Sequence, residues 1–418
     1  MTFAELWREL EPIGRDPQTG GYRRYSWTPA DMACRAWFTG QAERRGLAVE
    51  TDNNGNLWAW WGPKGPGAVV TGSHLDSVPD GGGFDGALGV VTALAAVDLL
   101  KAKPFYPERS VVLAAFTEEE GARFGVSCLG SRLLTGVVDP DAARALTDDA
   151  GTTLAQAMIA AGQDPGYLGP RDDLLDGIAA FVELHVEQGR ALAPQGAALG
   201  LAEGIWPHGR WRFDFTGRAD HAGTARLADR RDPMLPYAGT ALAARQAAAE
   251  NGAVATFGKV IVEPNGTNAV PSAVRAWLDA RAADEETMAR TVTTVRSAAE
   301  GFSQEHRVTL SVREESVTPL VRFDEGLRDR IAATLAAAGI SAPVLPTAAG
   351  HDAGFLAARV PAAMLFVRNP TGVSHSPAET VSDRSGLQRI PREFSPLLTT
   401  PDIRDRCGVA CADRKKTC

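Results

Sequence analysis

Five short segments are rich in residue types that bind metals and move protons. They are residues 72–77 (GSHLDS), 81–86 (GGGFDG), 117–121 (TEEEG), 183–189 (ELHVEQG) and 372–377 (GVSHSP). Imidazoles and carboxylates in this proportion are ordinary ligands for zinc and related divalent cations. One carboxylate can also bridge two cations about 3.5–4 Å apart, the spacing typical of hydrolytic two-metal sites. Together the segments predict a metal site, in which a carboxylate could be shared by two cations.

Each segment alone has a simpler structural explanation. Three consecutive glutamates, Glu118 to Glu120, are typical of a solvated surface. The glycine-rich run 81–86 is typical of a turn. A single histidine such as His185 is usually a polar residue whose hydrogen bonds are satisfied by its neighbours. The joint occurrence of all five segments, each at a predicted strand end or glycine turn, favours the metal site.

The elements that must position these residues alternate between strands and helices. Apolar runs predict strands at 69–72, 110–116 and 178–185, and an Ala-, Leu- and Val-rich run predicts a helix at 87–100. This alternation is typical of an α/β fold with a mostly parallel sheet covered on both faces. Three of the five segments follow predicted strands, where such folds place their sites.

Strand geometry assigns neighbours to two of the histidines. Asp76 lies two residues after His74, so on a strand both face the same side, and its carboxylate could accept the second imidazole N–H and fix the tautomer. By the same alternation, His185 shares a face with Glu183 and Glu187.

After Gly204 the pattern changes to alternating polar and apolar residues. We predict strands at 210–217, 255–262 and 273–280 and helices at 233–251 and 284–300, which describe a small α+β unit with an open sheet. The α/β pattern resumes with a helix near 325–338 and a strand near 362–367. The predicted domains are a catalytic domain in two parts, 1–205 and 319–383, an inserted lid at 206–318, and an atypical tail at 384–418.

Composition excludes several classes of function. The chain has 418 residues, 44% hydrophobic, with a net charge of −8 and no basic stripe, so we expect no nucleic-acid partner. No apolar run approaches 18 residues and the first twelve residues contain no apolar signal core, which predicts a cytoplasmic protein without a membrane span. Of five cysteines, Cys34 and Cys128 have apolar neighbours, so we expect buried thiols rather than disulfides.

Taken together, GSHLDS, GGGFDG, EEEGARF, ELHVEQG and GVSHSPAE resemble the amidase branch of the dinuclear zinc peptidase superfamily. That branch includes allantoate amidohydrolase, N-carbamoyl-L-amino-acid hydrolase and β-ureidopropionase, and the resemblance runs from about residue 50 to about residue 382. It implies a dinuclear metallohydrolase catalytic domain, an inserted lid that also dimerises, and a homodimer.

The resemblance also implies roles for individual residues. The implied metal ligands are His74, Asp85, Glu120, His185 and His375. They would hold two divalent ions, zinc or else manganese or cobalt, with Asp85 bridging. Glu119 would be the general base, and chemistry agrees, since a carboxylate beside a water acidified by two cations can take its proton and pass it to the leaving nitrogen.

Motifs in the predicted lid complete the implied site. They are residues 220–224 (DHAGT), 264–272 (PNGTNAVPS) and 278–281 (LDAR). By resemblance, His221 would stabilise the oxyanion, Asn268 would hold polar groups of the substrate, Arg281 would bind its carboxylate, and Gln188 would contact its ureido end. Alternatively, Asn268 serves a turn and Arg281 is a surface residue. His351 and Asp352 could support the site or only cap a helix.

The predicted function is hydrolysis of a C–N bond in a small anionic ureido or N-carbamoyl acid, with release of ammonia and carbon dioxide. The rivals are an aminoacylase or dipeptidase on the same scaffold and an inactive binding module; a nucleophilic Cys128 or Ser131 has no suggested base nearby. One departure from the amidases is the tail. Where they continue into a final amphipathic helix, Pro391, Pro396 and Pro401 interrupt this chain, so we expect residues from about 384 to pack poorly.

Overall fold

The structure is a computed structural model that describes residues 1–381 and 390–398. The chain folds into two compact units. The first comprises Met1–Glu203, Arg322–Leu345 and the described residues from Gly350 onward, and the second comprises Gly204–Val321 and Pro346–Ala349. The second unit includes the segment 206–318 that the sequence predicted as an insertion. No helix among the described residues has the length and apolar character needed to cross a membrane.

The first half of the chain supplies most of the larger sheet and its helices. The helices are α1 (Phe3–Leu10), α2 (Pro29–Arg44), α3 (Ala87–Lys101), α4 (Leu129–Leu134), α5 (Pro140–Arg144), α6 (Leu154–Ala160) and α7 (Asp172–Leu175). The strands are β1 (Ala48–Thr51), β2 (Leu57–Trp61), β3 (Ala68–His74), β4 (Val111–Phe116), β5 (Ile178–Val186) and β6 (Leu199–Ile205).

The second half contains the smaller sheet and the return to the larger one. Its strands are β7 (His208–Thr216), β8 (Asp220–His221), β9 (Val254–Glu263), β10 (Ala269–Val270), β11 (Ala273–Arg281), β12 (Thr309–Thr318), β13 (Val321–Arg322), β14 (Val344–Thr347) and β15 (Ala362–Val367). Its helices are α8 (Met234–Asn251), α9 (Glu285–Glu305), α10 (Glu325–Ala337) and α11 (Asp352–Leu356). Single 3-10 turns occur at Pro165–Tyr167, Leu227–Asp229 and Ser395–Leu398.

In the described part of the chain, the larger sheet has nine strands in the order β1-β2-β4-β3-β5-β15-β6-β13, with β14 paired to β6. Its centre, β4-β3-β5-β15, is parallel, whereas β1 pairs antiparallel with β2, β2 with β4, and β6 with β15. This confirms the predicted α/β fold with a mostly parallel sheet.

The central strands are apolar along their length because both faces are covered. Every residue of β3 and β5 is buried, as is nearly all of α3, which is apolar on all sides as a helix enclosed by a core must be. Gly89 allows α3 to approach closely, since a Cβ there would lie 2.3 Å from the carbonyl oxygen of Leu184 in β5. Helix α3 is thereby held against β5, and its first turn follows the loop that carries Asp85.

The second unit is an antiparallel sheet, β12-β7-β11-β9, packed against α8 and α9. Residues of β11 alternate between buried and half-buried, as expected of a sheet with one covered face. Phe213 and Phe215 of β7 and Leu278 of β11 meet Val295 of α9 in a separate core. The order of strands and helices is the one predicted for the inserted α+β unit.

The prediction that residues from 384 pack poorly is wrong for residues 390–398. Ile390, Phe394, Leu397 and Leu398 are at most 4% exposed and belong to the core of the first unit. They recur at the i, i+4, i+7, i+8 spacing of a helix face, and residues 390–394 are helical. The apolar spacing outweighed the prolines, one of which, Pro396, lies in the 3-10 turn. The rest of the predicted tail lies outside the described residues.

Candidate metal centre

The ends of three parallel strands bring metal-binding side chains to one edge of the larger sheet. His74 is the last residue of β3, Glu119 and Glu120 follow the end of β4, and His185 is the penultimate residue of β5. The loop before α3 adds Asp85. Among the described residues, four groups have donor atoms within 4.8 Å of one another: His74/Asp85/His185, His74/Glu119/Glu120, Asp85/Glu120/His375 and Glu183/His185/His351.

Asp85 belongs to two of these groups and contacts a different histidine set with each carboxylate oxygen. Its Oδ1 lies 3.7 Å from Nε2 of His74 and 3.2 Å from Nε2 of His185. Its Oδ2 lies 3.4 Å from Nε2 of His375, which is in turn 3.6 Å from Oε2 of Glu120. Each oxygen of one buried carboxylate therefore faces a different set of donors, which is the arrangement that a carboxylate bridging two cations requires.

The two buried imidazoles are oriented by backbone carbonyls. Nδ1 of His74 lies 3.1 Å from the carbonyl oxygen of Asp76, and Nδ1 of His185 lies 2.9 Å from that of Val186. Because a carbonyl can only accept, Nδ1 carries a proton in both rings, and a neutral imidazole therefore has its Nε2 lone pair facing Asp85. Nε2 of His74 is buried and makes no hydrogen bond to any described residue. A buried orphan acceptor of this kind fits a metal ligand.

The carboxylates of the centre strongly affect one another's ionisation. Burial raises the pKa of Glu119 to about 7, against the opposing charge of His74. Burial, then the charges of Asp85 and Glu119, raise the pKa of Glu120. Burial acts in the same direction on Asp85, but the hydrogen bond and charge of His185 prevail and lower its pKa. So many buried carboxylates need positive charge nearby to be ionised together, and divalent cations would supply it.

Glu119 is 5% exposed and is held at both ends. Its Oε1 accepts the thiol of Cys128 at 3.3 Å, so that Oε2 faces Nε2 of His74 at 3.7 Å. The backbone N–H groups of Glu119 and Glu120 donate to the two carboxylate oxygens of Asp76, at 3.2 and 3.1 Å. The carboxylate of Asp76 therefore fixes the backbone of both glutamates.

This corrects the role predicted for Asp76. Its carboxylate was expected to accept the second imidazole N–H of His74, but Oδ1 is 3.5 Å from Nδ1, and the backbone carbonyl of Asp76 is closer at 3.1 Å. The partner of Nδ1 of His74 is the main-chain carbonyl of Asp76 rather than its carboxylate.

The three consecutive glutamates do not form a solvated run. Glu118 is fully buried and has a left-handed backbone, φ 53°. Its Oε1 accepts the N–H groups of Arg123 and Phe124 at 3.0 and 2.7 Å. Glu118 therefore organises the following loop, whereas the carboxylates of Glu119 and Glu120 belong to groups that could hold a metal ion.

The structure also brings Gln188 to the centre. Its amide nitrogen donates to both oxygens of Asp85, at 3.3 and 3.1 Å, and lies 3.3 Å from Nε2 of His375. A side chain predicted to contact substrate thus lies between two of the predicted ligands.

The predicted lid residues all belong to the second unit. His221 and Asn268 lie on adjoining segments, since His221 pairs with Ala269 and the carbonyl oxygen of Asn268 accepts the N–H of the residue after His221 at 3.0 Å. Nδ1 of His221 accepts N–H groups from Gly223 and Thr224 at 3.0 and 3.2 Å. The proton of a neutral His221 is therefore on Nε2, which leaves that nitrogen a hydrogen-bond donor.

Arg281 is oriented by two neighbours. Its Nε and Nη2 donate to the carboxylate of Asp279 at 2.7 and 3.0 Å, and its Nη1 donates to the carbonyl oxygen of Ala348 at 2.6 Å. Three of its five N–H groups are used in this way, which leaves two for another acceptor. The guanidinium is half-buried and held in one orientation by these hydrogen bonds, and its contact with a substrate carboxylate stays a prediction.

A buried polar network near His185 includes His351 and Asp352, for which the sequence left open whether they support the site or only cap a helix. The ring of His351 lies 4.5 Å from that of His185. Glu183 accepts the N–H of the residue after Asp352 at 3.0 Å, and Asp352 accepts the hydroxyl of Ser131 at 2.5 Å. His351 and Asp352 are thus more than a helix cap. The sequence pointed to both residues but not to their partners, because Glu183 and Ser131 lie far from them along the chain.

The residues of the candidate centre lie within a segment that matches a known protein family. Residues 70–391 match the family model described as Peptidase family M20/M25/M40. The chain belongs to this family. The family implies the use of divalent metal ions, and the suspected resemblance to its amidase branch is confirmed by individual relatives.

Two curated M20-family relatives cover nearly the whole chain. An N-carbamoyl-L-amino acid amidohydrolase of Geobacillus stearothermophilus is 35% identical over 90% of this chain and 92% of its own length. An allantoate amidohydrolase of Escherichia coli K12 is 32% identical over 88% and 90%. Among solved structures, AtUAH in complex with glyoxylate is 28% identical, with a TM-score of 0.88 over 96% of this chain and 97% of that one.

Proposed function

We propose that this M20-family hydrolase cleaves the C–N bond of a small anionic ureido or N-carbamoyl acid, releasing ammonia and carbon dioxide. The observation that carries the proposal is the set of His, Asp and Glu donors gathered around Asp85. The amidohydrolase relatives, at 32–35% identity over most of both chains, support the ureido class of substrate.

In this proposal the centre holds two divalent ions, zinc or else manganese or cobalt. His74, Asp85, Glu120, His185 and His375 would be the ligands, with Asp85 shared between the ions. Divalent ions there would polarise the scissile carbonyl and acidify a water molecule. Five protein donors exceed what a single tetrahedral ion needs.

Glu119 would act as the general base. Its Oε2 faces the centre while its Oε1 is held by Cys128, so the carboxylate is presented in one orientation. It would take a proton from the attacking water and deliver it to the leaving nitrogen. A single group can serve both steps because the proton it takes in the first is the one it gives in the second.

The second unit would supply recognition. His221, with Nε2 as a donor, would stabilise the oxyanion, and Asn268 would bind polar groups of the substrate. Arg281, held by Asp279, would present its two remaining N–H groups to the substrate carboxylate. Gln188 would move from Asp85 to the ureido end when substrate arrives.

The test uses metal-stripped protein to which zinc, manganese or cobalt is restored, and measures ammonia release from a panel of acids, together with release of free amino acid from the acyl and peptide substrates. The panel contains allantoate, N-carbamoyl-L-amino acids, a β-ureido acid, N-acetyl amino acids and dipeptides. We expect turnover of one of the first three and none without metal. Cleavage of only the acyl amino acids or dipeptides would show an aminoacylase or dipeptidase, and binding without turnover would show an inactive module.

Metal content is the accompanying measurement. Elemental analysis of active protein should give two ions per chain. A single ion per chain in fully active protein would contradict the two-metal proposal, even if a ureido acid were cleaved.

A further inference from the structure

The side chain of Glu379 joins the loops that carry Asp85 and His375. Glu379 is 6% exposed. Its Oε1 accepts the N–H groups of Phe84 and Asp85, both at 3.0 Å, and its Oε2 accepts the hydroxyl of Ser374 at 2.9 Å. One carboxylate therefore bonds to the main chain of one proposed ligand and to the residue directly before another.

The loop before Asp85 leaves space for this carboxylate. A Cβ at Gly82 would lie 2.3 Å from Oε1 of Glu379, so any other residue would displace either the loop or the carboxylate. The ring of Phe84 stacks on that of Trp7, with centroids 4.6 Å apart, which limits how far the loop can shift. The approach of Glu379 to this loop depends on the glycine.

The loop of His375 needs such an attachment. The backbone of His375 is left-handed, φ 53°, a conformation that a residue other than glycine keeps only when its surroundings impose it. Its side chain is 51% exposed, so packing restrains the ring little. At the start of the loop, Oδ1 of Asn369 accepts the N–H groups of Thr371 and Gly372 at 3.1 and 3.0 Å. Glu379 provides the second anchor, on the other side of His375.

We propose that Glu379 is a positioning residue that holds the Asp85 and His375 loops at the separation needed to bind metal. The inference rests on the proposed function, because it takes Asp85 and His375 to be ligands. Groups that orient metal ligands typically contribute about 10- to 100-fold to metal affinity.

The experiment titrates the full-length, metal-free protein with Co²⁺ against a competing chelator and records the visible absorption of the bound ion. Glu379→Ala should weaken Co²⁺ binding by about 10- to 100-fold and change the spectrum. Glu379→Gln should stay near wild type, because the amide oxygen can accept both N–H groups and the amide nitrogen can donate to Ser374. A Gln variant as weak as the Ala variant would overturn the positioning role in favour of charge alone.

A second pair of variants tests the contact itself. Gly82→Ala should weaken Co²⁺ binding in the wild-type background, because its Cβ meets Glu379. In a Glu379→Gly background the same substitution should cost much less, because the three atoms of Glu379 that the new Cβ would meet, Oε1, Cδ and Cβ at 2.3, 2.4 and 2.5 Å, are all absent. Equal losses in both backgrounds, or binding by Glu379→Ala within twofold of wild type, would overturn the proposal. Thermal melting of each metal-free variant identifies any that has failed to fold. If Glu379→Ala fails to fold, the Glu379→Gln variant and the double variant decide whether Glu379 positions the two loops.

His375→Ala separates the two levels of inference. If it leaves Co²⁺ affinity and spectrum unchanged, the ligand assignment under the proposed function has failed. If it weakens binding while Glu379→Ala does not, only the positioning role has failed.

Discussion

Glu119→Gln should keep both metal ions and the fold but lose about two to four orders of magnitude in kcat, the usual contribution of a general base. This corresponds to about 2.7–5.4 kcal/mol of activation free energy. The structure suits the substitution, because glutamine has the same shape and its amide oxygen can still accept the thiol of Cys128, as Oε1 does at 3.3 Å. The change removes the group that takes the proton and leaves its position unaltered.

Glu118→Gln is the matched control. The carboxylate of Glu118 accepts the N–H groups of Arg123 and Phe124, and an amide oxygen can accept both. Its kcat should therefore stay within a few-fold of wild type. The assay is steady-state ammonia release at saturating substrate, with metal content measured on the same samples. Equal losses in the two variants, or a loss in Glu119→Gln that follows loss of metal, would refute the assignment of the base.

Three further predictions concern other parts of the chain. Arg281→Ala should reduce kcat/KM for the acid substrate by a factor equivalent to about 2–4 kcal/mol of transition-state stabilisation. The same substitution should reduce kcat/KM for the neutral amide analogue little further. If the losses from the substitution and from the amide simply add, Arg281 does not touch the carboxylate. Phe394→Ala should lower the free energy of unfolding by about 3–5 kcal/mol, since Phe394 is 1% exposed in the core, whereas the exposed Arg392→Ala should be neutral in urea denaturation; equal effects would contradict this placement. The protein should be a dimer in sedimentation at micromolar concentration, through the exposed edge of the second unit's sheet; a monomer would contradict this.

Much of the fold could be predicted because the chain repeats simple patterns. The apolar runs that end at His74 and Phe116 form buried parallel strands, and the Ala- and Leu-rich run after Asp85 forms α3. Once the strands are parallel, their carboxyl ends must share one sheet edge. The convergence of His74, Glu119, Glu120 and His185 therefore follows from strand order alone, without knowledge of any side-chain contact.

The prolines of the tail show where this reasoning fails. Proline lacks a backbone N–H and interrupts helices, so Pro391 and Pro396 predict an end to regular structure. The segment nevertheless presents Ile390, Phe394 and Leu397 to the core over a helical turn and a 3-10 turn. The cost of a proline within a helix is a few kcal/mol at most, and burial of three large apolar side chains offsets that cost.

The contacts that the sequence could not reveal share one chemical property. Asp76, Glu118 and Glu379 each place a carboxylate oxygen on backbone N–H groups of the loops that carry or adjoin the proposed ligands. A backbone N–H is present at almost every residue, so nothing in the side-chain identity of the partner marks the contact. Ligands can be recognised because chemistry demands His, Asp or Glu, whereas the residues that position them act on a group common to the whole chain. Their roles follow only from the fold, and among them Glu379, which joins two loops nearly three hundred residues apart, is the one that strand order could least predict.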